Sequence, residues 1–194
     1  MGLISIVELR ASILLVIMSI NLLAYSCYTP KEFKNSEVTK KLSYTEVYTT
    51  ILECDDTVVN IALNLSKKYS VDRNLVFALI RVESNFDSNA VNYNKNGSVD
   101  RGLCQLNSNS FPELSNAQFF NEYVNISKSV EYMSFLLSMY NNDEKMAIYA
   151  YNCGFNRVNA GNVPNSTKGY FKKISAFRGN YAILSTFFIR SYNG

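Results

Sequence analysis

Two carboxyl groups stand in contrasting settings: Glu83 closes the apolar segment LVFALIRV, and Asp100 lies in the polar stretch NGSVDRG between Gly97 and Gly102. Apolar surroundings disfavour the charged form of an acid, and the negative end of a helix dipole acts in the same direction, so Glu83 is the group that would hold a proton toward neutral pH. Such an acid can protonate the leaving oxygen of a glycosidic bond. Each residue also has a plainer reading. Glu83 can be an ordinary helix-surface acid, and Asp100 can accept hydrogen bonds from turn amides.

Composition narrows the chemistry that surrounds this pair. The 194 residues contain no histidine, which excludes Ser-His-Asp and Cys-His nucleophile systems and every His-ligated metal site. Cys27, Cys54, Cys104 and Cys153 are far apart and form no C-x-x-C pair, so neither zinc nor redox chemistry is indicated, and no cofactor is expected. A net charge of +3, with no dense cluster of basic residues among aromatics, argues against a nucleic-acid partner.

The elements that must carry the acids read as mainly α. Val58, Ile61, Ala62, Leu65 and Tyr69 recur at helical spacing over about Asp56 to Tyr69. Leu75, Leu79, Val82 and Phe86 repeat the pattern after Asp72, a candidate N-cap, and put Glu83 in the last turn of that helix. Ile126, Val130, Met133, Leu137 and Tyr140 give the longest amphipathic stretch, and Met146 to Asn152 and Thr167 to Phe177 read as shorter helices. At most a short β-hairpin is expected between Val91 and Leu106, turning at NKNGS. The apolar AILSTFFI, Ala182 to Ile189, is too short to span a bilayer and is read as core packing.

At the other end, Arg10 precedes an apolar run from Ala11 to Leu23 of signal-peptide length. Ala24 and Ser26 suit cleavage before Cys27, and LLAYSC also resembles a loose bacterial lipobox that would make Cys27 a lipidated first residue. Either reading exports the chain to the periplasm or cell envelope. Residues 27–50 are rich in Thr, Ser and Lys and lack an apolar period, as a tether would. The expected organisation is therefore a signal peptide over residues 1–26, a tether over 27–50 and one folded domain over 51–194.

The segment ESNFDSNAVNYNKNGSVDRGLCQLNS, which begins at Glu83, resembles the active-site segment of bacterial lytic transglycosylases and of c-type lysozymes. AIYAYNCGFNRV, with Tyr151, Asn152, Cys153 and Gly154, resembles a motif found in the transglycosylases and absent from c-type lysozymes. KGYFKKI resembles a later element whose tyrosine, here Tyr170, approaches the catalytic acid. The similarity covers about Asp56 to Ile174 and implies a lysozyme-like helical domain.

That resemblance also implies an activity: cleavage of the β-1,4 bond between N-acetylmuramic acid and N-acetylglucosamine in peptidoglycan glycan strands. Glu83 would act first as acid and then as base, closing a 1,6-anhydro ring without water. Ser84, Gln105, Tyr151, Asn152 and Tyr170 would position substrate or acid, with Asp100 as a second carboxylate. The membrane, through the N-terminal signal or lipid, and an envelope-spanning secretion or conjugation machine are the partners implied. Cys104 stands where the family usually has Met, and Cys153 where it usually has Ala. Because both motifs meet at one groove, a Cys104–Cys153 disulfide is a further expectation. A hydrolytic muramidase using Glu83 and Asp100, a chitinase-like specificity and an inactive wall-binding module stay open as alternatives.

Overall fold

Asp72 stops one helix connection and starts the element that matters most. Its carboxylate accepts from the Asn74 amide and opens a helix whose next residues are almost all apolar. The computed structural model describes residues 42–193, which fall within one compact unit. The signal peptide, lipidation at Cys27 and the tether up to residue 41 lie outside them. In chain order the elements are α1 (Tyr44–Leu52), α2 (Asp56–Lys68), α3 (Arg73–Ser84), β1 (Val91–Tyr93), β2 (Val99–Arg101), β3 (Leu106–Asn107), α4 (Asn116–Phe120), α5 (Glu122–Met139), α6 (Glu144–Cys153), α7 (Phe155–Asn159) and α8 (Asn165–Asn193).

The fold is mainly α, and α3 is its centre. Leu75, Val76, Phe77, Ala78, Leu79 and Ile80 are all buried, so this helix is enclosed on every side for most of its length. It packs most extensively on α8, and α5 and α6 complete the core with Ile126, Val130, Met133, Ala147 and Ile148. Burial of these side chains supplies the drive to fold, at about 25 cal/mol for each Å² of apolar surface removed from water. Among the described residues no helix is long and apolar enough to cross a membrane.

Four expectations need correction. Residues 44–50 are not tether: Ser43 and Glu46 form a capping box, and α1 buries Val47, Tyr48 and Leu52, so the packed fold begins before Ile51. The expected hairpin gains a third strand, β3, giving an antiparallel sheet in the order β1-β2-β3. The helix expected over Thr167 to Phe177 runs on to Asn193. Within it, the Ala182 to Ile189 stretch is core on one side only: Ser185 is 6% exposed, whereas Ile183 is 67% exposed.

Candidate active site

Glu83 occupies the last turn of α3, and the chain then turns sharply away through two left-handed residues, Asn85 (φ 55°) and Phe86 (φ 66°). Such conformations cost energy in residues other than glycine and persist only where surrounding contacts impose them. Arg81 supplies many of those contacts. Its guanidinium donates to the Tyr181 hydroxyl, to Asn85 Oδ1 and to the Leu52 carbonyl, and it stacks on the Phe86 ring. The helix end that carries Glu83 is thereby fastened to both α1 and α8.

The Tyr170 hydroxyl, from α8, donates to Glu83 Oε1 across 2.5 Å. Burial pushes the Glu83 carboxyl up to about 7. The hydrogen bond from Tyr170 opposes that rise, and the charge of Asp100 adds to it. Glu83 is nevertheless partly exposed, because it opens on a groove. Tyr170 itself is raised well above the ordinary phenol range by burial and by the adjacent Glu83, so it remains a donor.

Asp100 sits on the central strand of the sheet, directly between Asn92 on β1 and Asn107 on β3. Opposed residues share a sheet face, and here they form a clamp. Asn107 donates to Asp100 Oδ1 at 2.6 Å, while Asn94 and Asn92 donate to Oδ2 at 2.8 and 3.2 Å. The amides that hold Asp100 come from side chains rather than from the turn backbone. Both oxygens therefore accept from amide side chains.

Glu83, Asp100, Gln105, Tyr151 and Asn152 all line one groove of about 930 Å³ between the sheet and the α6–α7 corner. A second cavity of about 500 Å³ adjoins it and shares Glu83, Asp100 and Gln105, so the cleft continues on both sides of the two acids. Ser84 opens on the smaller cavity only, and its hydroxyl donates to the Leu103 carbonyl at 2.8 Å. Gln105, in a left-handed conformation (φ 47°), gives its amide protons to the carbonyls of Ala90 and Gly102. Asn152 Oδ1 accepts from the buried Thr167 hydroxyl at 2.7 Å, which joins α6 to the start of α8. Lys95 from the β1–β2 turn and Arg157 from α7 add positive charge to the groove wall.

Tyr151 edges the groove while its hydroxyl is buried. That hydroxyl lies 2.7 Å from Ser129 Oγ and donates to the Cys104 carbonyl at 3.3 Å. The expected Cys104–Cys153 disulfide is not present; both residues are free thiols. Cys104 is buried in the core, with its backbone N–H on Asn125 Oδ1, whereas Cys153 turns its sulfur to the Gly154 carbonyl at the end of α6. Cys104 is a member of the apolar core rather than one half of a crosslink.

Sequence reasoning missed the residues that organise the loop between the acids. Asn125, 1% exposed on α5, accepts from the Cys104 amide and donates to the carbonyls of Arg101 and Phe119. Gly102 makes room for it. A Cβ at Gly102 would fall 2.5 Å from both Asn125 Nδ2 and the Phe119 oxygen, in a left-handed conformation (φ 76°). The partners of Asn125 are remote in sequence, so no local pattern marks it. The Asn92, Asn94 and Asn107 clamp had a visible trace in the density of asparagines around Asp100, but only strand register assigns their roles.

Among the described residues no group of three or more Cys, Asp or Glu side chains could hold a metal ion. Lytic transglycosylase Slt from Pseudomonas aeruginosa, solved as an inactive Glu-to-Gln mutant, has a similar fold: TM-score 0.53 and 23% identity over 63% of this chain and 23% of that one. The 70 kDa soluble lytic transglycosylase of Escherichia coli gives TM-score 0.53 and 19% identity over 74% of this chain and 31% of that one. The matched region is thus less than a third of either enzyme. The family described as the transglycosylase SLT domain matches residues 60–174, a span that runs from α2 through Glu83, the sheet and Tyr170, and on that match the chain belongs to this family.

Proposed function

We propose that this domain is a lytic transglycosylase that cleaves the β-1,4 bond between N-acetylmuramic acid and N-acetylglucosamine in peptidoglycan. The observation that carries the reading is a single carboxyl group, Glu83, whose pKa is raised to about 7 by burial and which lines both of two adjoining cavities, of about 930 and about 500 Å³. A carboxyl group with that pKa can give a proton near neutrality and then take one back. Glu83 donates its proton to the glycosidic oxygen as the C1–O bond breaks. The substrate's own N-acetyl group stabilises the cationic sugar, and the Glu83 carboxylate then removes the proton from the muramic 6-hydroxyl as O6 bonds to C1. The products are a free 4-hydroxyl on the leaving sugar and a 1,6-anhydro end, with no water consumed.

Tyr170 holds Glu83 in place for both proton transfers. Gln105 and Asn152, each committed on one side to the loop and helix that flank the cleft, position the strand. Lys95 and Arg157 suit a glycan that carries carboxylates. We place the enzyme in the periplasm or cell envelope, exported by its N-terminal segment and held at Cys27 if lipid is attached there.

A hydrolytic reading is favoured by one feature, the three-amide clamp that fixes the Asp100 carboxyl group on the same groove as Glu83. Mass spectrometry of digested peptidoglycan separates the two. Anhydro ends one water lighter than the hydrolytic ends support the transglycosylase, and reducing ends alone overturn it. Equal turnover by wild type and Glu83→Gln would leave only a wall-binding module.

A further inference from the structure

The last helix, α8, carries five basic residues, Lys168, Lys172, Lys173, Arg178 and Arg190, and no Asp or Glu. Its inner face is buried through Ile174, Tyr181 and Ser185. Its outer face follows helical spacing from Lys172 through Ala176 and Asn180 to Ile183, Phe187 and Arg190, all exposed. Ile183 is 67% and Phe187 39% exposed, so two large apolar side chains one turn apart stand in solvent between cationic ends. Lys172, Lys173 and Arg190 make no ion pair among the described residues, whereas Arg178, on the packed side, pairs with Asp72 and Glu144. The family match ends at residue 174, so this apolar part of the helix lies beyond it.

We infer that the outer face of α8 docks on an anionic phospholipid surface. An amphipathic helix with apolar side chains on one stripe, cations toward its ends and no acidic residue of its own lies in the plane of a bilayer interface, with the basic residues meeting lipid phosphates. The exposed stripe from Lys172 to Arg190 would run about 27 Å along such a surface, from the helical rise of ~1.5 Å per residue. Charge argues against a second copy as the occupant. Pairing this face with itself sets lysines and arginines of one copy against those of the other in either orientation. The inference is independent of the chemistry assigned to the groove.

The chain contains no tryptophan, so Phe187→Trp creates a single indole reporter in the full-length protein. Its emission should shift to the blue, and brominated lipid should quench it, on addition of phosphatidylcholine vesicles containing phosphatidylglycerol, with little change on vesicles of phosphatidylcholine alone. Neutralising Lys172, Lys173 and Arg190 to Gln should weaken that response by roughly a hundredfold, from about fivefold per charge. A Tyr123→Trp reporter on α5 should not respond, even if the N-terminal segment also holds the protein to the vesicle. Any one of three results overturns the proposal: no response from Phe187→Trp, an equal response from Tyr123→Trp, or a blue shift without lipid that grows with protein concentration. The last would assign the face to a second copy.

Discussion

The Tyr170 hydroxyl donates to Glu83 Oε1 across 2.5 Å, a bond that joins residues from helices α8 and α3 and stabilises the carboxylate form of the acid. Removing it with Tyr170→Phe should therefore raise the Glu83 pKa above about 7. The alkaline limb of the activity profile moves to higher pH, while kcat falls by about tenfold to a hundredfold because the acid is less well placed. A pH series on soluble peptidoglycan fragments reads both effects, and an unmoved alkaline limb would count against the bond's role in tuning the acid.

Asp100→Asn should move the same limb the other way. The negative charge of Asp100 helps to raise Glu83, so its loss lowers the Glu83 pKa and brings the fall in activity to lower pH. If the substrate supplies its own stabilising group, kcat should stay within about tenfold of wild type. Near-total loss of activity would instead assign Asp100 a direct part in a hydrolytic reaction. The variant also leaves one of Asn92, Asn94 and Asn107 facing a donor, so a modest stability loss of about 1 kcal/mol is expected.

The raised acid costs the fold stability. Glu83 has a higher pKa in the native state, about 7, than its ordinary 4.5, so the native state holds this proton more tightly. Its contribution is fully present below pH 4.5 and is lost as the pH rises toward about 7 and beyond. Glu83→Gln, which still offers Tyr170 an acceptor, should unfold at higher denaturant than wild type at pH 8, by roughly 1–3 kcal/mol once access of water from the groove is allowed for. At pH 4 the two should match. Parallel urea titrations at the two pH values test the difference.

What could be read from sequence was what local pattern determines. Asp72 as a cap, Glu83 in the last turn of α3 and the turn at NKNGS follow from neighbouring residues, and the structure places Asp72 and Glu83 there. Helix α1 escaped because its apolar residues are few; its S-x-x-E start at Ser43 was legible, but burial of Tyr48 depends on contact with the distant Phe77. The length of α8 escaped because Gly169, Gly179 and several Ser and Asn residues lower its intrinsic helicity, which packing on α3 overrides. In the site, the residues on the groove were legible through motif spacing. Those that hold them, Arg81, Asn125 and Thr167, were not, because each acts on partners from other segments.

Asn125 gives a direct test of that support. Asn125→Ala strands the Cys104 amide and the Arg101 and Phe119 carbonyls, and at about 1–3 kcal/mol for each buried group left unpaired the domain should lose about 3 kcal/mol or more. Gly102→Ala attacks the same junction by steric conflict and should cost at least about 2 kcal/mol. Because the two share one contact, the double variant should lose less than the sum of the singles, which a double-mutant cycle in urea measures. Additive losses would mean that Gly102 does not exist to admit Asn125.

The thiols offer a chemical check on the groove. Burial pushes Cys104 up to about 12 and shields it, so it should resist iodoacetamide at pH 8 in the folded protein. Cys153, partly exposed on the groove wall, should be labelled first, and bound glycan should slow that labelling by covering it. Cys54, raised to about 11 by burial, should react more slowly than Cys153. Unfolding in denaturant should make Cys104 as reactive as the others. Non-reducing peptide mapping should recover Cys104 and Cys153 as separate alkylated peptides, because one is buried in the core while the other lines the cleft; a joined peptide would show that the α6 end must move to let them meet.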